Sequence, residues 1–233
     1  MTIFSRLFTL LLLTVTALQG SAHRYDLNVG DFTELRLQDA INVDYVCSAD
    51  SAGHAVFECA PEVASSIVFT PKGSRLSVQL TASELQPGTQ LPTVRVYSRF
   101  LTRAVNTTDS TLRILSVADT PRFDALQEGN GRLIVKSVNA NDVHLTLRLG
   151  HGQLIASGEC TKAKIQFTGT GLVQADGLSA DEVSINCSGT GSIGVNPLKS
   201  LSVFGAGSTT VYYLGTPSIR NRTIGVKILP IAP

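Results

Sequence analysis

The sequence predicts an all-β fold: a right-handed parallel β-helix with a less regular N-terminal β part. Three observations predict it. A Gly-x-Gly turn recurs through the second half of the chain, apolar residues stand at fixed alternate offsets from that turn, and the composition favours strands and turns. Gly accounts for 20 residues, aromatics for only 6%, and Trp is absent, so the interior must be filled mainly by Val, Ile and Leu, the residues of pleated, half-buried surfaces.

The first element is a targeting segment. Arg6 precedes an apolar run from Leu7 to Leu18, and Gly20 and Ala22 supply a small-x-small site, the layout of a signal peptide over residues 1–22. The run is too short for a membrane span, which needs about 20 apolar residues. The reading is therefore an exported protein of the periplasm, outer-membrane surface or extracellular space, with no transmembrane segment in the mature chain. A net charge of +1 with 16% charged residues argues against nucleic acid as a partner, which requires a basic face.

Residues 23–120 read as irregular strands and N-terminal coils. Phe32, Leu35 and Leu37 open the segment, Ile41, Val43 and Tyr45 alternate, and Leu76 to Leu80 and Val94 to Tyr97 follow. The polar stretch from Thr81 to Pro92 carries Pro87-Gly88 and reads as a loop. The glycine repeat is absent here. Because a solenoid end exposes strand edges and core, this part is expected to serve as an N-terminal cap.

Residues 121–217 read as regular coils. The glycine turn appears at Gly129, Gly150, Gly169, Gly189 and Gly205, each followed two residues later by another Gly. Four residues after each first Gly stand Leu133, Leu154, Val173, Ile193 and Thr209. Six after it stand Val135, Ala156, Ala175, Val195 and Val211. Alternate residues share one side of a strand. Nine after it, Val138, Leu178 and Leu198 are expected inside, with Cys160 filling the slot beside Glu159. A second strand carries Ile165, Ile185 and Leu201, then Phe167, Cys187 and Val203. The order of features is the same in every unit, so the units stack by translation as parallel strands, whereas an antiparallel meander would mirror it. Crossovers between parallel strands are right-handed. Residues 218–233 are read as the C-terminal end.

Four Cys follow the apolar run. Cys47 and Cys59 flank a turn and are a candidate disulfide or two thiols; Cys160 and Cys187 fall in different columns and are not expected to pair. No CxxC exists and the four His are scattered, so neither a metal nor a cofactor is expected. Two outward columns are predicted. Lys136, Ser157, Asp176, Asn196 and Tyr212 form a candidate ligand face, and Gln166, Asn186 and Ser202 form a polar ladder suited to sugar hydroxyls. Asp142 and Asp181 fall in one corner column with Lys162 between them, the nearest approach to a carboxylate pair. Ile134, Ile155 and Leu172 form a small apolar stripe. The sequons at Asn106 and Asn221 and the Asp-Ser-x patterns at Ser51 and Ser110 are weak modification signals.

Asp31-Phe32-Thr33-Glu34-Leu35, Ile41-Asn42-Val43-Asp44-Tyr45, the repeated Gly-Thr-Gly turns and Val211-Tyr212-Tyr213-Leu214-Gly215-Thr216-Pro217 occur in this order. Together they resemble the putative auto-transporter adhesin, head GIN domain family, common in Bacteroidetes, over about Tyr25 to Gly225. The name-giving tripeptide falls on Ala40-Ile41-Asn42, and its repeated turn on Ser188-Gly189-Thr190-Gly191. The resemblance implies a right-handed parallel β-helix outside the cytoplasm and supplies no catalytic residue. The functional expectation is a non-enzymatic surface or envelope protein that binds a glycan or a surface protein. The alternatives are a polysaccharide lyase or hydrolase on the same scaffold, and an envelope structural or lipid-associated protein. A homo-oligomer packed through the apolar stripe is compatible with each.

Overall fold

The computed structural model describes residues 22–81, 85 and 88–231. The expected signal peptide lies outside them apart from Ala22. In chain order the elements are β1 (His23–Asn28), β2 (Glu34–Leu37), β3 (Val43–Cys47), β4 (His54–Cys59), one helical turn α1 (Pro61–Ala64), β5 (Ile67–Lys72), β6 (Arg75–Leu80), β7 (Val94–Ser98), β8 (Arg103–Asn106), β9 (Thr111–Ile114) and β10 (Thr120–Glu128). Long strands follow: β11 (Arg132–Arg148), β12 (Gln153–Thr168), β13 (Leu172–Gly189) and β14 (Ser192–Gly207), then short β15 (Thr210–Tyr213), β16 (Ser218–Ile224) and β17 (Lys227–Pro230).

The long strands bend midway, so each contributes to two stacks. The first stack runs β7, β3, β9, the N-terminal parts of β11 to β14, β15 and β17. The second runs β6, β2, β8, β10, the C-terminal parts of β11 to β14, and β16. All of these pairings are parallel. The units therefore stack by translation, and the fold is a parallel β-helix.

Between the stacks lies one aliphatic core. Leu133, Leu154, Val173 and Ile193 sit directly over one another and are fully buried. Leu145, Ile165, Ile185 and Val203 form the matching column of the second stack. Burying one such side chain contributes about 1.5–3 kcal/mol, and each column repeats that gain at every level. The turn glycines are needed for close approach. A Cβ on Gly152 would stand 2.6 Å from the Gly129 carbonyl oxygen and 3.0 Å from Gln127 Cγ.

The fifth glycine turn is not equivalent to the others. Gly207, not Gly205, stacks on Gly189, so every expected position counted from that turn, before or after it, shifts by two. Val211 rather than Thr209 covers Ile193, and Val203 rather than Leu201 covers Ile185. Leu198, expected inside, is 60% exposed. The last corner is shorter, and Pro197 takes the place over Ala180. The slot of Val138 and Leu178 is taken by Gly158 and not by Cys160, which stacks instead with Ala140 and Ala180 and packs on the core.

The N-terminal half closes one end of the stack. The β2–β3 coil is sandwiched between the β6–β7 coil and the β8–β9 coil, so stacking order departs from chain order. Outside β6 lies antiparallel β5, and outside β7 lies antiparallel β4 with β1 beyond it. Under this cover Leu76, Val78, Val94 and Val96 are fully buried. Where the glycine turn is missing, buried amides take over. Asn106 Nδ2 donates to Ser110 O and Gln127 Oε1, both at 2.9 Å, and Asn106 Oδ1 accepts from Thr108 Oγ1 at 2.9 Å. Asn106 is thus a buried structural amide and no sugar acceptor.

Cys47 and Cys59 are free thiols. The turn between them does not close a hairpin, because β7 separates β3 from β4. Two strand widths come to about 10 Å, beyond the roughly 7 Å limit for bridged Cα atoms. Cys47 also stands opposite Ser98 while β4 runs toward the other end of β7. Cys160 and Cys187 are likewise free.

Candidate functional site

The five residues expected to form one ligand column do not stack together. Lys136 adjoins Ser157, but Ser157 faces Gly177, Asn196 faces Ser179 and Tyr212 faces Gly194. The corners differ in length: β13 spends Asp176, Gly177 and Leu178 where β14 passes directly from Val195 to Asn196. Ile134 does stack on Ile155, whereas Leu172 falls in the neighbouring column with Gln153. In the second polar ladder, Phe204 covers Asn186, and Ser202 covers Ser184.

The second stack brings charged side chains together on its outer side. Its central column reads Glu34, Arg103, Asp124, His144, Lys164, Ser184, Ser202, Arg220. Beside it runs Arg122, Asp142, Lys162, Glu182, Ser200. The acid that shares the Asp142 column is therefore Glu182, with Lys162 between them; Asp181 lies at the corner, paired with Lys199 at 2.7 Å. Strand alternation explains why these groups gather here: Val143, Leu145 and Leu147 point inward, so Asp142, His144 and Thr146 must point out.

Two shallow grooves of about 440 and 360 Å³ lie on this face and meet at His144 and Lys164. Arg103, Arg122 and Lys164 line the first against a lone carboxylate, Asp124. Arg122 donates to Asp124 at 3.0 Å. Lys162 and Lys164 are exposed and make no ion pair among the described residues. Arg122 Nη2 lies 3.1 Å from His144 Nδ1, and Asp124 Oδ1 lies 3.5 Å from the same nitrogen. One nitrogen cannot both accept from the guanidinium and donate to the carboxylate. Burial first, then the Arg122 charge, hold His144 below its ordinary value, so at pH 7 Nδ1 is the acceptor and the imidazole is neutral. The face thus presents cations at fixed positions on levels about 4.8 Å apart, alternating with the carboxylates of Asp124, Asp142 and Glu182 and flanked by the amides of Gln166 and Asn186.

Three of the four thiols are poorly suited to nucleophilic chemistry. Burial pushes Cys59, Cys160 and Cys187 up, Cys160 to about 12 with Asp142 and Asp181 adding to the effect. These remain protonated at neutral pH and unreactive. Among the described residues no three of His, Cys, Asp and Glu converge as metal ligands. No described helix is long and apolar enough to cross a membrane.

Solved structures share this architecture. A putative adhesin from Bacteroides fragilis superposes with a TM-score of 0.80 at 19% identity, over 91% of this chain and 97% of that one. A putative lipid binding protein from Parabacteroides distasonis gives 0.70 at 16%, over 92% and 98%. A putative adhesin from Parabacteroides merdae gives 0.65 at 15%, over 92% and 98%. Identities this low speak to fold alone. Among curated proteins none matches the chain. Residues 31–217 match the family model described as putative auto-transporter adhesin, head GIN domain. The matched span covers the capping coils, the glycine-turned coils and the charged face alike, and the chain belongs to that family.

Proposed function

We propose that this chain is a non-enzymatic adhesin of the cell exterior whose outer second-stack face holds an acidic glycan. The observation that carries the reading is the pair of unpaired ammonium groups, Lys162 and Lys164, beside Arg122 and His144 in two joined grooves. The Lys162 and Lys164 ammonium groups, two residues apart on one strand, match sulfate or carboxylate groups on a sugar chain, and neighbouring Gln166 and Asn186 suit hydroxyls. The groove is shallow and solvated, which favours multivalent, modest contacts over a deep pocket.

The test is binding of the mature protein to immobilised chondroitin sulfate, alginate and neutral dextran. Binding to the acidic polymers and not to dextran is expected. Lys162→Glu with Lys164→Glu should abolish it while leaving the fold intact by circular dichroism. Equal binding to dextran, or binding indifferent to the double charge reversal, overturns the proposal. Asp142 and Glu182 stand two levels apart, about 9.6 Å, at the wide edge of inverting glycosidase geometry. Release of reducing ends that disappears in Asp142→Asn would replace binding with turnover.

A further inference from the structure

The two ends of the stack are built differently. At the N-terminal end the outermost coil is covered and its inward residues are fully buried. At the C-terminal end, among the described residues, β16 pairs only with β14, and β17 only with β15. Ile219 covers Leu201, yet Leu201 is fully buried and Ile219 is 43% exposed. Ile228, over fully buried Val211, is also only partly covered. Among the described residues this end therefore presents a free strand edge, with Ile219 beside Asn221 and Thr223 on its inner side.

Its charge is one-sided. No Asp or Glu occurs after Glu182, while Arg220, Arg222 and Lys227 all lie in the last two strands. Arg220 and Arg222 point outward, stacked on Ser202 and Phe204, and the Arg222 guanidinium sits 5.8 Å from the Phe204 ring centre. A second copy is a poor occupant. Two such ends would oppose like charges across the new strand pair, and the outermost strands at the other end of a copy, β1 and β5, carry Arg24 and Lys72 beside Asp26 and so offer no acidic row. An apolar lipid phase is also a poor occupant, because it would leave the edge N–H and C=O groups unpaired.

We infer that the β16 edge accepts an extended, acidic strand from a partner protein as one more level of the stack. Strand addition pairs the free backbone. The strand's outward acids would meet Arg220 and Arg222, and its inward residues would lie over Ile219, Asn221 and Thr223. Arg220 also lines the second groove with Lys162 and Lys164, so the two proposals are told apart by Arg222 and by the backbone pairing, which a glycan on the outer face does not use.

The probe is a fluorescein-labelled peptide of alternating Val and Glu, matched to the seven residues of β16, titrated into the full chain by anisotropy. Saturable binding is expected. Arg220→Glu with Arg222→Glu should weaken it roughly tenfold or more, and Lys162→Glu with Lys164→Glu should leave it unchanged. If the reversal does not fold, Arg220→Gln with Arg222→Gln serves, with a smaller loss expected. The inference is overturned by no binding, by equal binding of a Val–Lys peptide, or by equal binding of a peptide N-methylated at alternate amides. Displacement of the bound peptide by phosphatidylglycerol vesicles, with tighter binding to the vesicles themselves, would reassign the end to a lipid surface.

Discussion

At the scale of single residues, His144 ties the charged face to pH. Its imidazole is held below the ordinary value by burial and by Arg122, so the free protein keeps it neutral at pH 7. An anion bound beside it would raise that value, and the complex would then bind more protons than the free protein. Affinity for an acidic glycan should therefore increase as pH falls from about 7 toward 5, and His144→Gln should flatten the profile. A measured affinity that falls on acidification in the wild type would contradict the placement of the ligand. Linkage gives the opposite sign for the stability of the free protein. A group whose value is depressed in the folded state contributes stability that is lost as pH falls below its unfolded value. His144 was legible as an outward position, because His144, Lys164 and Ser184 keep the same spacing of 20 that marks the core columns. Reading that spacing for charged residues as well as apolar ones would have found the face.

Among the elements, the corners decide what sequence can reveal. Inward columns such as Leu154, Val173 and Ile193 were readable because the preceding glycine turn fixes their offset and because burial demands the same residue type at each level. Past the bend the offset is lost, since β13 and β14 differ in corner length, and the expected column from Lys136 to Tyr212 dissolves for that reason alone. The amide turn of β8 and β10 carried no signal, since Asn106 and Gln127 look like ordinary surface residues until their partners are placed. Asn106→Asp should show their weight. It replaces the amino donor that satisfies Ser110 O and Gln127 Oε1 with an acceptor, leaving buried groups unpaired. A loss of about 3 kcal/mol is expected, measured by urea unfolding. A loss below about 1 kcal/mol would mean that water reaches this turn.

Across the whole molecule, protection should be graded along the stack. The middle levels, β11 to β13, have partners on both sides and fully buried columns, whereas β16 and β17 have one partner each. Native-state hydrogen exchange should be slowest in β12 and β13 and fastest in β16 and β17. The Val–Glu peptide should slow exchange in β16 and leave the middle untouched. Uniform protection along the stack would indicate that the last level is as well held as the rest. Composition and periodicity made the parallel stack readable, but they were silent on which end is closed, because the cap departs from chain order.

That departure has a consequence for how the chain reaches its final form. Strand β2 is flanked by β6 and β8, whose paired residues follow it by 41 and 69 positions. A ribosome or an export channel delivers β2 and β3 long before either neighbour exists. The regular levels can each zip onto their immediate predecessor, whereas the first coil must wait, its two faces bare, for a long loop to close. The N-terminal end is therefore the slow step of assembly, and the segment from β2 to β3 is where a chaperone would have to hold the newly emerged polypeptide.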